Sequence, residues 1–408
     1  MTAEPDRRAV VTGLGVVAPT GIGVKTYWAN TLDGRSGLAP MTRMDPTGYP
    51  IKVIGEVPGF DPYALLPSRV VVETALMTQF GLVCAEEALL DGELDPKEQP
   101  EYQMGVVTAN ATGGAEFGQR EMQNLYSKGP SQVGAYMAIA WFYAANSGQI
   151  SIRHGMRGPS GVFITDQAGG LDCVGQARRT IRGGTTFVLS GGTDSSFSPS
   201  GLVGQIPPGL VSRSTDPARA YLPFDAEASG YAPGEGGAIL LVEEAESARA
   251  RGVRPYGEIA GYATAFDPHP ATGRGPNLRR AIEGALADAR CAPGDVDVVF
   301  ADGYGVPALD RLESRALAEV FGPAGVPVTV PKTTTGRLYA AGPTVDLVAA
   351  LLAVRHGVVP PTVNVTAPSP DCPVDLILGD PREAVVRTAL VIARGHNGFN
   401  AAVVVRAV

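Results

Sequence analysis

The chain has 408 residues, 44% of them hydrophobic and 18% charged, enough to bury a large core in about two to three domain-sized units. Its net charge of −8 argues against a general nucleic-acid or anionic-membrane surface. No apolar stretch reaches the ~18 residues of a membrane span, and the polar, charged residues 1–8 run straight into an apolar strand without a signal-peptide pattern. Cys84, Cys173, Cys291 and Cys372 are far apart, as are His154, His269, His356 and His396. That scatter predicts a cytoplasmic protein with free thiols and no metal site.

In chain order, residues 8–18 form a buried strand whose Gly13, Gly15 and Ala18 match a dinucleotide fingerprint. The match is weak, because Pro19 falls where the phosphate-binding helix should already run and no acidic residue closes a second strand. A helix is predicted over 70–90 with Cys84 in its core, then a strand over 105–108, and a helix over about 132–146 carrying Met137, Trp141, Phe142 and Tyr143. Residues 161–175 read as an apolar strand, a sharp turn and a helix start, with Leu171, Val174 and Ile181 on the apolar face and Cys173 as a packing residue. Further strands are predicted over 187–192, 239–243, 257–262, 296–301, 326–330, 388–393 and 401–405, and helices over 277–289 and 344–355. The alternation restarts near Tyr256, which divides the chain at 1–255 and 256–408 and predicts an α/β fold with a pseudo-repeat, its sheets covered by helices.

Gln167 occupies the strand-to-helix turn, near the positive end of the helix dipole, where a thiol would be activated. An amide cannot serve as the nucleophile there. The surrounding motifs resemble the thiolase-fold β-ketoacyl synthases over essentially the whole chain, from Val10 to Val405, and within them the chain length factors of type II polyketide synthases. That resemblance implies a layered α-β-α-β-α arrangement of two βαβ halves. Active members use one cysteine and two histidines. By the resemblance Gln167 stands at the cysteine, Asp302 (in Asp302-Gly303-Tyr304-Gly305) at the first histidine and Arg337 (in Lys332-Thr333-Thr334-Thr335-Gly336-Arg337) at the second. Lys332, Glu313 and Asn400 are retained, with Glu313 and Lys332 expected as a buried pair, and His396 takes the gating position of the C-terminal loop. Asp302 and Arg337 either close the pocket as an ion pair or stand as two solvated groups.

Loss of all three catalytic positions implies a non-condensing subunit of a heterodimer with an active ketosynthase. The growing poly-β-ketone chain would then pass into a tunnel at the interface, whose closure sets product length. The resemblance puts the tunnel lining at Ala109, Thr112, Ala115, Glu116 and Phe117, faced by Val133, Gly134 and Met137. Small residues at 109, 115 and 134 imply a roomy tunnel, and phenylalanine at 109 or 134 a shorter product. The segment 147–159 resembles the family stretch just before the nucleophile, near the interface, where a strand could pair across subunits. No resident cofactor is implied: acyl chains would arrive on the phosphopantetheine of an acyl carrier protein, docked mainly on the active subunit. The alternative is a malonyl decarboxylase that primes synthesis through Gln167. Asp302 argues against it, because a carboxylate repels the enolate that decarboxylation leaves.

Overall fold

The computed structural model describes residues 7–408, so residues 1–6 of the polar N-terminal segment lie outside it. The first half runs β1 (Ala9–Ala18), α1 (Leu76–Asp91), β2 (Met104–Ala109), α2 (Ala115–Lys128), α3 (Ala145–His154), β3 (Ser160–Phe163), α4 (Gly169–Arg182), β4 (Phe187–Asp194) and β5 (Gly236–Glu244). The second runs β6 (Gly257–Phe266), α5 (Leu278–Asp288), β7 (Val298–Phe300), α6 (Pro307–Phe321), β8 (Pro327–Thr329), α7 (Gly342–His356), β9 (Asp375–Leu376), β10 (Thr388–Arg394) and β11 (Phe399–Arg406).

The strands form one twelve-stranded sheet in the order β9-β8-β7-β10-β11-β6-β1-β5-β4-β2-β3, with the two-residue strand Gly21–Ile22 beside β1. Separate sheets were expected. They are instead joined at a narrow seam, where β1 and β6 pair only through Val10–Glu258 and Val11–Gly257. On either side of the seam the pattern repeats. β1-β5-β4-β2-β3 pair antiparallel, antiparallel, parallel, parallel, and so do β6-β11-β10-β7-β8. After the fifth strand of each set, β3 or β8, the chain leads into a buried helix, α4 or α7.

Those two helices fill the middle of the molecule. Leu171, Val174 and Ile181 of α4 share one core with Leu347, Val348 and Leu351 of α7 and with strand residues of both halves, among them Val107, Val188, Phe300 and Val391. α7 is apolar all round because it is covered all round. Outside, α1 packs Cys84, Ala85 and Ala88 on Ile239 and Leu241, and α5 packs Ala281, Ile282 and Ala285 on Ala402 and Val404. The layers are therefore helix, sheet, helix, sheet, helix. Gly13 and Gly15 belong to this packing: a Cβ on either would lie 2.0 Å from the Ala88 carbonyl or 1.9 Å from that of Cys84. Backbone contact between strand and helix, not phosphate binding, requires these glycines.

Most predicted elements are present with shifted ends; three differ in kind. The helix over 70–90 is two helices, Ser68–Glu73 and α1, because Thr74 and Ala75 are extended and Thr74 Oγ1 turns back to the Val70 carbonyl at 2.6 Å. The helix over 132–146 is a single turn, Met137–Ala140. Its approach is bent away by Gly129 at φ 94° and by the Glu121 carboxylate, which accepts the Gly134 N–H at 2.6 Å. The segment 147–159, expected as a strand, is mostly α3, closed by Gly155 in the left-handed region, and the strand follows as β3. No helix among the described residues is long and apolar enough to cross a membrane.

Candidate functional site

Gln167 sits in the turn from β3 to α4, two residues before Gly169 opens the helix. Asp166 beside it is held at φ 50°, a left-handed conformation costly for a residue with a side chain. A Cβ on Gly170 would stand 2.3 Å from the Ala340 carbonyl, so the start of α4 is pressed onto the turn before α7. Gln167 is buried, and its side-chain amide makes no hydrogen bond to any described residue. One turn into α4, Asp172 accepts from Tyr262 Oη at 2.7 Å and from Thr165 Oγ1. Cys173 is fully buried and burial pushes its thiol up to about 12, so it packs and does not react.

Behind this turn lies a buried cluster of charges. Arg337 Nη2 is 3.1 Å from Asp302 Oδ1 and 3.0 Å from Oδ2, and the same guanidinium donates to the carbonyls of Asp302 at 3.1 Å and Arg394 at 3.2 Å. Of the two possibilities open at the sequence level, the ion pair is the one realised. Burial opposes the guanidinium charge, but Asp302 more than offsets it and holds Arg337 well above its ordinary value. The Arg337 carbon lies 3.9 Å from the centre of the Tyr304 ring and 5.5 Å from that of Tyr231.

The expected Glu313–Lys332 pair does not form. Lys332 Nζ lies 2.6 Å from Asp346 Oδ2 and donates to the carbonyls of Ala301 and Asp302, both at 3.1 Å. Glu313 turns instead to the loop after β7, accepting the N–H of Asp302 at 2.8 Å and of Gly303 at 3.2 Å, with Arg394 Nη1 at 3.4 Å. Gly303 at φ 53° makes that loop possible and leaves its amides facing the carboxylate. Lys332, Arg337 and Arg394 thus stand against Asp302, Asp346 and Glu313, cation for anion. Burial lifts Asp346 to about 6 and raises Glu313. Each of the three cations is paired with a carboxylate, so its charge is already neutralised before any oxyanion could develop.

The C-terminal loop joins the two places. The backbone N–H of the exposed His396 donates to the Asp166 carboxylate, while the preceding carbonyl of Arg394 accepts from Arg337. Asn400 faces away from the pocket, its Nδ2 donating to Asp267 Oδ1 at 2.8 Å and Gly398 O at 2.9 Å. It braces the loop and touches no catalytic position.

The residues expected to line a tunnel form a wall, with one exception. Gly114 N donates to the Trp141 carbonyl at 3.0 Å, so the start of α2 and the Met137–Ala140 turn lie side by side. Phe117 packs with Met77 and Ala140, Met137 reaches toward Gly118, and Ala115 and Val133 are half-buried on the same wall. Glu121 ties down Gly134, while Glu116 Oε1 accepts the N–H of Leu76 at 2.8 Å. Thr112 is fixed by Asp194, through its N–H at 3.0 Å and its hydroxyl at 2.9 Å. The exception is Ala109. It is fully buried in the central core, its Cβ 3.3 Å from where one on Gly169 would stand, so a larger residue there would overpack the core before reaching any tunnel. Sequence reasoning also missed Asp194. An acidic residue closing the apolar strand 187–194 was the signal, because a charge at such a place needs dedicated partners. No group of His, Cys, Asp and Glu among the described residues could hold a metal ion.

Comparison with known proteins identifies this arrangement. The β-ketoacyl synthase N-terminal domain matches residues 6–248 and the C-terminal domain residues 256–366. The tetracenomycin polyketide synthase ketoacyl synthase beta subunit of Streptomyces glaucescens is 59% identical over 97% of this chain and 98% of its own. Among solved structures, the ishigamide ketosynthase/chain length factor superposes with a TM-score of 0.91 at 30% identity, over 99% of this chain and 100% of that one. A type II polyketide synthase acyl-carrier protein in complex with its hexaketide-bound ketosynthase superposes with a TM-score of 0.89 at 30% identity, over 99% and 100%. With its layered fold and its replaced catalytic positions, the chain belongs to the β-ketoacyl synthase family, in the branch of the type II polyketide ketosynthase beta subunits, the chain length factors.

Proposed function

We propose that this chain is the non-condensing half of a ketosynthase heterodimer in a type II aromatic polyketide synthase. Its partner ketosynthase performs the decarboxylative Claisen condensation of malonyl-carrier protein, and this chain sets how long the poly-β-ketone grows. The observation that carries the reading is the buried Asp302–Arg337 pair, which fills the place of both acid–base groups and neutralises the positive charge an oxyanion would need. The same pair disfavours priming by decarboxylation. Gln167 has no polarising partner, and Asp302 already neutralises the Arg337 charge that could otherwise hold an enolate.

The halves 1–255 and 256–408 act as one body in this reading, in the cytoplasm and with four free cysteines. The chain needs no cofactor of its own, since the acyl chain arrives on the phosphopantetheine of an acyl carrier protein. Length is controlled sterically by the wall of α2 and residues 133–140, because a packed interior does not yield by several ångströms. Gly134 is the position to test. It is exposed in the single chain, its φ is not positive, and a Cβ would meet only the Glu121 carboxylate at 3.2 Å. Gly134→Phe, reconstituted with the partner ketosynthase and carrier protein, is expected to yield shorter polyketides with the heterodimer intact. Products of unchanged length, read by mass spectrometry, would overturn the steric reading.

A further inference from the structure

Asp194 ends β4 at the centre of the molecule, fully buried, with no ion-pair partner among the described residues. Its charge is met by hydrogen bonds alone. Oδ1 collects the segment after β2: Asn110 Nδ2 at 2.9 Å, Ala111 N at 3.1 Å, Thr112 N at 3.0 Å and Thr112 Oγ1 at 2.9 Å. Oδ2 shares the Ala111 N–H, at 3.2 Å, and reaches the other way, to the N–H of Ala340 at 3.1 Å. Ala340 belongs to the turn before α7, where Tyr339 is held at φ 52° and whose carbonyl abuts Gly170 at the start of the Gln167 helix. Asn110 also donates to the Thr193 carbonyl at 2.8 Å, and Thr193 Oγ1 donates to Met77 O at 2.7 Å, behind Phe117.

A carboxylate suits this place because two segments present N–H groups to it from opposite sides. An asparagine has one acceptor oxygen, and its NH2 would face an N–H on one side whichever way it turned. We propose that Asp194 is a positioning residue for chain length: by clamping residues 110–112 to the Ala340 turn, it fixes the wall against which the polyketide stops. Asp194 touches no chain itself and acts through Thr112 and its neighbours. The inference rests on the tunnel reading above.

The test is Asp194→Asn, isosteric and unable to serve both sides, co-purified with the partner ketosynthase and assayed with carrier protein for product length. The expected result is an intact heterodimer whose products spread from one length to several, differing by whole extender units. Two controls run beside it. Leu286→Ala, in the outer helix α5, lowers stability without touching the wall and should leave product length alone. Met137→Ala changes the wall directly and reads whether the wall sets length at all. A length shift with Met137→Ala but none with Asp194→Asn overturns the assignment and leaves the tunnel standing; no shift with either removes both. A shift with Leu286→Ala as large as that with Asp194→Asn also overturns it, since general destabilisation would then suffice. Should Asp194→Asn fail to assemble, Thr112→Val carries the same test, because it deletes one clamp bond at nearly constant volume. Mixed lengths support the assignment, and a single unchanged length refutes it.

Discussion

At Gln167, Asp302 and Arg337 the side chains explain one another. A lone arginine in the place of a catalytic histidine would be an uncompensated buried cation, and a lone aspartate an uncompensated buried anion. Together they form a pair, held at 3.0 Å and covered by Tyr304 and Tyr231. Buried pairs of this kind add little stability over a well-packed apolar replacement, but breaking one by removing a single partner costs about 3–5 kcal/mol. Arg337→Met is therefore expected to destabilise the isolated chain by up to about that amount, since it leaves Asp302 beside Glu313 with only the more distant Lys332, at 4.0 Å, as a counter-charge. Asp302→Asn combined with Arg337→Met should recover much of the loss. Urea unfolding midpoints of the two variants decide it, and a double variant as unstable as the single one would show that the pair is not what couples these positions.

At the scale of elements, much was legible because buried strands announce themselves as apolar runs. β1, β4, β5, β10 and β11 are each buried along most of their length and were found from that signal. α6 went unpredicted and α2 was expected only as a helix start implied by the resemblance: α2 buries little beyond Phe117 and Glu121, and α6 opens on Pro307 within a loop-like sequence. The false helix over 132–146 came from apolar residues whose spacing reflects an outward-facing patch and not a core stripe. The catalytic replacements were legible as motifs; the partner of Lys332 was not, because Asp346 approaches from another element. α6 carries a further consequence. Asp310, in its first turn, accepts the N–H of Phe224 at 2.9 Å and of Gly305 at 3.1 Å, yet burial first and Glu313 next raise it from an ordinary 3.8 to about 7. The folded state thus holds this proton more tightly than the unfolded chain does. The stabilisation is complete below 3.8 and is lost as pH rises through about 7. Asp310→Asn mimics the protonated form, so the stability of the wild type relative to this variant should fall between about pH 5 and about pH 8. Parallel unfolding curves at the two pH values would contradict that sign.

The whole molecule presents one face that its own chain leaves uncovered. Ile139, Trp141 and Phe142 are exposed to 50%, 44% and 49%, with Tyr136 at 36%, and Ile164 beyond the end of β3 to 51%. α3, which follows this segment, packs on β2 and β3. β3 is the last strand of the sheet, its outer edge unpaired among the described residues. Large apolar side chains exposed beside an open sheet edge make a surface suited to cover by another subunit. In this family that subunit is the active ketosynthase, and the wall of α2 and residues 133–140, proposed above to set product length, adjoins the same face. In that proposal chain length and association are read from one surface. Aromatic anchors at the centre of an interface are each worth about 2 kcal/mol or more, so Trp141→Glu with Phe142→Asp should weaken the heterodimer about a thousand-fold. Leu90→Glu, equally apolar and exposed to 72% but on α1, should leave association unchanged. Sedimentation of each variant with the partner ketosynthase separates the cases, with the far-ultraviolet spectrum of each single chain as the check on folding. Heterodimer formation by the Trp141 and Phe142 variant at wild-type affinity would place the interface elsewhere, and the length-setting wall would then have to be sought away from this face.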